Sequence, residues 1–252
     1  MIRTLLSDEV WARIESVLPG KEGDPGRTAT DNRWFVEAVL WIARTGCPWR
    51  DLPKEFGRWH TVYMRFSRWR RKGVWERVAH AVSDGTQIKC VLIDSTIVRA
   101  HQHSAGARKK AARKALGRSR GGLTTKLHLA VDEAGRPLRM IVTAGQVSDI
   151  SCAHELVEHL RTGAVIADKG YDSDAFVNTI RATRAKAVIP PRSNRKTKRR
   201  YSRVLYRTRN IVERFFNRIK HFRRVSTRYD KLAGNYFAFA VLACAFGPLV
   251  RM

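Results

Sequence analysis

The sequence predicts two domains, an all-α domain over residues 1–86 and an α/β domain over residues 87–252. In the first part, apolar residues recur every three or four positions, which is the spacing of amphipathic helices. From Lys89 onward, short apolar runs and alternating apolar and polar residues indicate strands. These strands take turns with helical stretches, which is typical of the α/β class. A length of 252 residues is enough for each domain to bury its own core.

The net charge of +27 is the strongest feature of the composition. A surplus of Lys and Arg of this size indicates a polyanionic partner, and neutralisation of phosphates is the sequence-independent part of nucleic-acid affinity. A membrane is the other candidate partner, but Met1 starts no signal sequence, and the apolar run from Tyr236 to Leu249 is too short to span a bilayer. We expect that run to form a buried helix. The four cysteines lie far apart without a C-x-x-C pair, which indicates neither a zinc site nor disulfides and fits a reducing cytoplasm.

The N-terminal domain is predicted to contain a series of helices. The first covers about residues 7 to 18, and Asp31 opens a second that ends at Gly46. Residues 49–56 can form a short third helix and residues 58–72 a fourth. Most of the tryptophans recur at helical spacing, so we expect them in the core rather than as platforms for bases.

A short helix, a turn at Gly57 and a basic helix form the outline of a helix-turn-helix DNA reader. Arg65, Arg68 and Lys72 share one edge of the fourth helix, opposite its apolar residues. A basic solvated face would give the same pattern. Because of the net charge we favour DNA contact, and we expect these three side chains to bind in a groove or at phosphates.

Two apolar strands of the second domain each deliver an aspartate. Asp94 follows the run from Cys90 to Ile93, and Asp168 follows the run Ala164–Ala167. A carboxylate at the end of a buried strand is costly unless something compensates its charge. A metal ion is the obvious candidate.

Asp172 and Asp174 compete with Asp168 for the role of second acid. Ser173 and Asp174 are natural caps for a helix predicted over residues 175–184, which gives the two competing acids a structural explanation. We therefore favour Asp168.

The other segments of the second domain have simpler signals. Residues 105–122 are rich in Arg, Lys, Gly and Ala, so we expect a mobile basic loop that becomes ordered on DNA. A hairpin of strands over residues 123–131 and 138–143 follows. A helix is then predicted from residue 148 or 149 to Gly163, and a last strand over residues 187–190.

The stretch from Tyr206 to Lys220 predicts a helix with one polar functional face. At about 100° per residue, Tyr206, Arg209, Glu213 and Lys220 fall within an arc of about 60°. Glu213 is a nearly solitary acid in a long basic segment, so it should stay ionised and attract a cation. An ordinary helical pair of Arg209 with Glu213 is the alternative, and this stretch alone does not decide between the two.

These residues match a known pattern. The spacing Y-x2-R-x3-E-x6-K resembles the signature of bacterial insertion-sequence transposases of the DDE type. The motifs DST-x-V-x-AH-x-H from Asp94, GRSRGG from Gly117 and ADKGYDS from Ala167 are similar to the insertion sequence five family, and the resemblance covers nearly the whole chain. It implies a ribonuclease-H-like catalytic domain with a mixed sheet, in which Asp94, Asp168 and Glu213 are the catalytic metal ligands.

The resemblance further implies two-metal phosphodiester chemistry. Mg²⁺ is the expected physiological metal and Mn²⁺ a substitute, because both accept carboxylate oxygens. The expected reactions are nicking at the element ends and attack of the freed 3′-hydroxyl on target DNA. Tyr206, Arg209 and Lys220 would orient phosphate near the metals, while Arg118 and Arg120 of the basic loop would contact DNA.

The partners implied are the terminal inverted repeats, the target DNA and further copies of the chain in a dimer or larger assembly. No membrane and no small-molecule substrate are expected. Two rival functions stay open, namely a metal-dependent nuclease that does not join strands and a DNA-binding regulator without catalysis, although the intact set of acids argues against the regulator. His101 and His103 could be read as a metal pair, but no further ligands stand at suitable spacing, so we favour DNA contact or packing for them.

Overall fold

A computed structural model describes residues 2–26, 28–82, 87–106 and 115–247. Within these ranges the chain forms two compact units. The helical unit comprises residues 2–82, 101–106 and 219–247, and the sheet unit comprises residues 87–100 and 115–218. The division into a DNA-binding domain and a catalytic domain after residue 86 stays a prediction. By packing, residues 219–247 belong to the helical unit.

The helices and strands follow one another in an order that begins all-α and becomes mixed. The helices are α1 (Asp8–Ile14), α2 (Asn32–Thr45), α3 (Trp59–Arg71), α4 (Val74–Val82), α5 (Ala153–Val157), α6 (Asp174–Ala182), α7 (Arg203–Tyr206), α8 (Asn210–Ile219), α9 (Arg223–Ser226) and α10 (Ala233–Phe246). The strands are β1 (Cys90–Ala100), β2 (Gly117–Ser119), β3 (Gly122–Asp132), β4 (Pro137–Ala144), β5 (Ala164–Ile166), β6 (Lys186–Val188) and β7 (Thr227–Arg228).

The sequence signals at the ends of the first two helices are confirmed. The Ser7 side chain accepts a hydrogen bond from the Val10 N–H at 3.3 Å, and the Asp31 carboxylate accepts one from the Trp34 N–H at 2.8 Å. Each bond satisfies an N–H that has no partner inside its helix. Gly46 ends α2 with a φ of 71°, in the left-handed region that glycine adopts without steric cost.

Two of the predicted N-terminal helices differ from the prediction. The α-helix of the first ends at Ile14 and continues only as a 3₁₀ turn over Glu15–Val17. The prediction of a helix over residues 49–56 is wrong, because this segment forms two 3₁₀ turns with Pro53 between them. Proline has no N–H to donate and disfavours helical backbone at the residue before it.

The C-terminal apolar run forms a buried helix, as predicted, but this helix belongs to the helical unit and not to the α/β domain. Tyr236 and Phe239 of α10 are fully buried. The ring of Phe239 stacks on Phe66 at a centroid distance of 4.6 Å, and the Tyr236 hydroxyl donates to the Val225 carbonyl at 3.1 Å. None of the described helices is long and apolar enough to cross a membrane.

The sheet of the second unit is mixed. Strands β4, β3, β1, β5 and β6 lie side by side in that order, with β2 extending the sheet beside one end of β3. Strand β3 is antiparallel to both β1 and β4, whereas β1, β5 and β6 are parallel. Helices α5 and α6 cover the sheet with Leu156, Phe176 and Ile180. This order confirms the ribonuclease-H-like α/β fold class.

Several boundaries in the sheet unit differ from the predictions. Strand β1 does not end before Asp94 but continues to Ala100, because its register with the long strand β3 extends as far as Arg99. The helix predicted to reach Gly163 already ends at Val157. Part of the predicted basic loop is a strand, since residues 117–119 pair with β3, while residues 107–114 of that loop lie outside the described residues.

Candidate active site

The first predicted acid lies in the middle of the sheet. Asp94 is opposite Leu129 of β3, and only 15 % of its side chain is exposed. Its Oδ1 accepts a hydrogen bond from the Ser95 N–H at 2.8 Å. Burial raises the pKa of Asp94 to about 6. This carboxyl group therefore lies in surroundings that oppose its negative charge.

Strand register brings the second acid close to the first. Strands β1 and β5 are parallel neighbours, and Leu92 is paired with Ile166. Asp94 follows Leu92 by two residues within β1, and Asp168 follows Ile166 by two residues just beyond the end of β5, so the two acids lie near the same level of the sheet. The charge of Asp168 adds to the rise in the pKa of Asp94, as expected for carboxylates in close range.

A tight turn fixes the Asp168 side chain. Its Oδ1 accepts a hydrogen bond from the Gly170 N–H at 2.7 Å, at the start of the 3₁₀ turn Lys169–Tyr171. A methyl group on Gly170 would lie 2.8 Å from the same oxygen, which is closer than real Cβ contacts come. A larger residue at position 170 would therefore require the carboxylate or the turn to shift.

Arginine 209 joins the third acid to the first. The Arg209 Nη2 donates to Asp94 Oδ2 at 2.8 Å, while its Nη1 donates to Glu213 Oε1. Arg209 thus does form the helical pair with Glu213 that was the alternative interpretation, and it binds Asp94 as well. Arg209 opposes the rise in the pKa of Asp94, and Glu213 adds to it. Asp168 and Glu213 are therefore both close enough to Asp94 to raise its pKa.

The helix predicted from Tyr206 to Lys220 is interrupted, so the prediction of one continuous polar face on a single helix is wrong. Tyr206 ends α7, a 3₁₀ turn covers Arg207–Arg209, and α8 begins at Asn210. The Thr208 hydroxyl donates to the Leu205 carbonyl at 2.7 Å, a local bond that competes with regular helix formation. Burial raises the pKa of the Tyr206 phenol, and the charges of Asp168 and Glu213 contribute to that rise.

The type of ligand atom fits a hard divalent cation, because carboxylate oxygens are what such ions take in proteins. Within the described ranges, however, no three side chains among His, Cys, Asp and Glu are placed to hold a metal ion together. The Arg209 guanidinium is the cation that Asp94 and Glu213 share in this arrangement.

A second polar network lies directly beside Asp94, and the sequence did not reveal it. Asp149 Oδ1 accepts from the Ser95 hydroxyl at 2.7 Å and from Lys126 Nζ at 2.8 Å, and Lys126 also donates to the Val147 carbonyl at 2.6 Å. The sequence indicates Asp149 only as a possible start of the helix predicted to end at Gly163. The available signal was Lys126, a cation inside the apolar strand β3 whose side chain is 10 % exposed.

Comparison with known proteins identifies the family. Residues 85–246 match the family model described as "Transposase DDE domain", and residues 6–79 match the model described as "Putative transposase of IS4/5 family". The chain belongs to the DDE transposase family. The family implies a nuclease or transposase class of enzyme that depends on a divalent metal in general.

Curated relatives of this DDE transposase are bacterial. It is 40 % identical over 128 residues to the "Putative transposase for insertion sequence element IS6501" of Brucella ovis, a match that covers 49 % of this chain and 96 % of that protein. It is 42 % identical over 104 residues to the "Uncharacterized protein y4sN" of Sinorhizobium fredii, covering 41 % of this chain and 83 % of the relative.

Among solved structures, the chain is similar to the piggyBac transposase in a synaptic complex with hairpin DNA. The TM-score is 0.40 and the identity 13 %, over 76 % of this chain and 50 % of that one. The chain therefore spans half of the length of that structural relative.

The predicted N-terminal DNA contacts of the transposase have unequal surroundings. The Arg65 guanidinium lies over the rings of Phe35 at 4.2 Å and Trp69 at 4.8 Å and donates to Asn32 Oδ1. Burial lowers the pKa of Arg65 to about 10. Arg65 is thus engaged in packing, whereas Arg68 and Lys72 are exposed. Their contact with DNA stays a prediction.

The remaining predicted site residues are located as follows. Arg118 on β2 and Arg120 just after it are exposed, and their role stays a prediction. Lys220 is half-buried and belongs to the helical unit. His101 and His103 pack edge to face at a ring-centroid distance of 4.4 Å, and their role also stays a prediction.

Proposed function

We propose that this transposase binds the terminal inverted repeats of its insertion sequence and catalyses strand cleavage followed by strand transfer. The observation that supports the proposal is that Asp94 lies on β1 and Asp168 just beyond the end of its parallel neighbour β5, with Glu213 joined to Asp94 through Arg209. The match to the DDE family and the net charge of +27 support DNA as the substrate.

Asp94, Asp168 and Glu213 would hold the metal, with Mg²⁺ as the physiological ion and Mn²⁺ as a substitute. Such an ion would activate a water or a 3′-hydroxyl and stabilise the departing phosphodiester oxygen. The Gly170 N–H keeps the Asp168 carboxylate in place, and the Ser95 N–H does the same for Asp94. Correct orientation of these oxygens before substrate arrives removes an entropic cost from the reaction.

Arg209 would leave its position between the carboxylates and bind a DNA phosphate. Its planar guanidinium suits a phosphate as well as it suits two carboxylates. Tyr206 and Lys220 would assist in orienting the strand. Because two element ends must be joined to one target, we propose that a dimer or a larger assembly forms on DNA, in the bacterial cytoplasm.

The proposal is tested with purified protein, duplexes that carry the element ends, and Mg²⁺ or Mn²⁺. Cleavage of the ends and joining of pre-cleaved ends to a target plasmid are the expected results. The Asp94→Ala variant should lose cleavage and retain binding, or bind slightly more tightly because one negative charge is gone. Cleavage without joined product would indicate a simple nuclease, and binding without cleavage would indicate a regulator.

A further inference from the structure

The segment between β6 and α7 is basic and is tied down by two aspartates. We call residues 192–200 the basic arm; it contains no helix or strand. Asp172, whose side chain is 1 % exposed, accepts hydrogen bonds from the Arg195 Nε at 2.9 Å, from the Arg192 N–H at 2.8 Å and from Arg199. Asp174 accepts from the same two arginine side chains, at 3.0 Å from Arg195 and 2.8 Å from Arg199.

These contacts replace the interpretation of Asp174 as a helix cap. Ser173 occupies the N-cap position of α6 but its side chain makes no capping bond, and Asp174 is the first helical residue. Asp172 and Asp174 hold the basic arm instead. The pKa of Asp172 is lowered because the hydrogen bonds and charges of the arm outweigh its burial.

The basic arm is also attached to the loop that carries Asp168. The Arg192 side chain donates to the Gly170 carbonyl at 2.8 Å and to the Lys169 carbonyl at 3.2 Å. These two residues directly follow Asp168 in the chain. A ligand bound along the arm would therefore be held at a fixed distance from the candidate catalytic carboxylate.

The charge of the arm exceeds what the aspartates neutralise. Arg195 and Arg199, with their planar forks, bind the two carboxylates. Lys196, Lys198 and Arg200 are exposed, and within the described part of the chain no ion pair involves any of these three. Arg195 and Arg199 are sufficient to attach the arm to the two aspartates, so attachment does not explain the three further cations. Ammonium groups on flexible stems are suited to phosphates that vary in position.

We infer that the basic arm is a docking surface for the DNA backbone next to the scissile phosphate, with Lys196, Lys198 and Arg200 as the phosphate contacts. Asp172 and Asp174 are positioning residues that hold the arm in its binding conformation. The inference rests on the proposed function, because it assigns part of the DNA site of that function. It is independent of the metal, since phosphate contact by lysine requires none.

The test compares two double variants with the same loss of charge. Lys196→Gln/Lys198→Gln removes two cations from the arm. Lys89→Gln/Arg161→Gln removes two exposed cations just before β1 and β5, at the end of these strands opposite to Asp94 and Asp168. Affinity for an element-end duplex is measured at several salt concentrations in EDTA. The slope of log affinity against log salt should become less steep by about 2 for the arm variant and stay unchanged for the control.

The outcomes separate this inference from the proposed function. If the wild-type protein does not bind element ends, the proposed function fails. If the wild type binds and the arm variant keeps the wild-type slope, or the control loses as much as the arm variant, the docking surface is refuted. A third variant, Asp172→Asn, should bind with lower affinity but an almost unchanged salt slope, because it loosens the arm and retains its free cations. A circular dichroism spectrum shows whether each variant is folded. If Asp172→Asn is not folded, the salt slope of Lys196→Gln/Lys198→Gln against its control decides the question.

Discussion

The guanidinium of Arg209 lies 2.8 Å from Asp94 Oδ2 and joins this carboxylate to that of Glu213. Both residues are largely buried, with 19 % of the Arg209 side chain and 15 % of the Asp94 side chain exposed. A charge pair in such surroundings is screened less by solvent than one on the surface. Any divalent ion that binds Asp94 and Glu213 together must compete with this internal cation.

The first prediction follows from that competition. The Arg209→Ala variant should bind Mn²⁺ about tenfold more tightly in the absence of DNA, because the carboxylates lose their guanidinium partner and an adjacent positive charge. The same variant should cleave DNA less well, because Arg209 no longer orients the phosphate. Isothermal titration with Mn²⁺ measures the first effect. Arg207→Ala, two residues away at an exposed position, is the control and should bind Mn²⁺ like the wild type. Weaker Mn²⁺ binding by Arg209→Ala would refute the competition.

The second prediction concerns stability and pH in the metal-free protein. The pKa of Asp94 is 3.8 in its unperturbed form and about 6 in the fold. Between these values the folded state binds more protons than the unfolded state, so the free energy of unfolding falls as the pH rises from about 4 to about 6. At about 1.4 kcal/mol for each pH unit between the two pKa values, ionisation of Asp94 costs about 3 kcal/mol.

Asp94→Asn should remove this loss, because the amide has no charge to bury. Between pH 4 and pH 7, the free energy of unfolding of this variant should fall by up to about 3 kcal/mol less than that of the wild type. Urea unfolding in EDTA at both pH values measures the difference. Asp51→Asn, at an exposed position, is the matched control and should follow the wild type. Equal pH dependence of wild type and Asp94→Asn would show that the folded pKa is ordinary.

Local signals in the sequence predicted much of the fold. The caps at Ser7 and Asp31 and the glycine stop at Gly46 depend on residues within a few positions of one another. The same holds for Asp168, because an apolar strand followed by a polar turn is a local pattern. These features could be predicted since the physical interactions that determine them are short-range.

Features that depend on distant partners could not be predicted. Strand β1 is long because β3 is there to pair with it, and the bridge from Arg209 to Asp94 joins residues 115 positions apart. Asp174 was interpreted as a helix cap, whereas its partners Arg195 and Arg199 are more than 20 residues away. In each case the spacing within the element leaves several partners possible, and tertiary packing selects one.

The third prediction concerns the turn after the second acid. In Gly170→Ala the new methyl group would lie 2.8 Å from Asp168 Oδ1, so the carboxylate or the turn must move. We expect cleavage of element ends to fall at least about tenfold, since small misplacements of catalytic groups are costly. Binding of DNA in EDTA should stay at the wild-type level. Gly121→Ala is the control, because its nearest neighbour is the Ser119 hydroxyl at 3.9 Å. Full cleavage by Gly170→Ala would mean that the turn adapts and does not position Asp168.

The fourth prediction concerns the network beside Asp94. Lys126→Met removes the buried cation that binds Asp149 at 2.8 Å and the Val147 carbonyl at 2.6 Å. The Asp149 carboxylate would then keep one hydrogen bond, from the Ser95 hydroxyl. Only 31 % of its side chain is exposed, so water replaces the lost partner incompletely. Loss of one partner of a mostly buried pair should lower the free energy of unfolding by about 2 to 3 kcal/mol.

A double-mutant cycle separates this pairing from the other effects of the substitution. Asp149→Asn removes the charge that Lys126 neutralises, so the variant Lys126→Met/Asp149→Asn should be more stable than the sum of the single losses by about 1 kcal/mol or more. Denaturant unfolding in EDTA supplies all four values. Losses that simply add would mean that the ammonium contributes through the Val147 carbonyl alone. A coupling of the expected size would show that Asp149 and Lys126 act together, and that Ser95 is held beside Asp94 by a pair rather than by a single carboxylate.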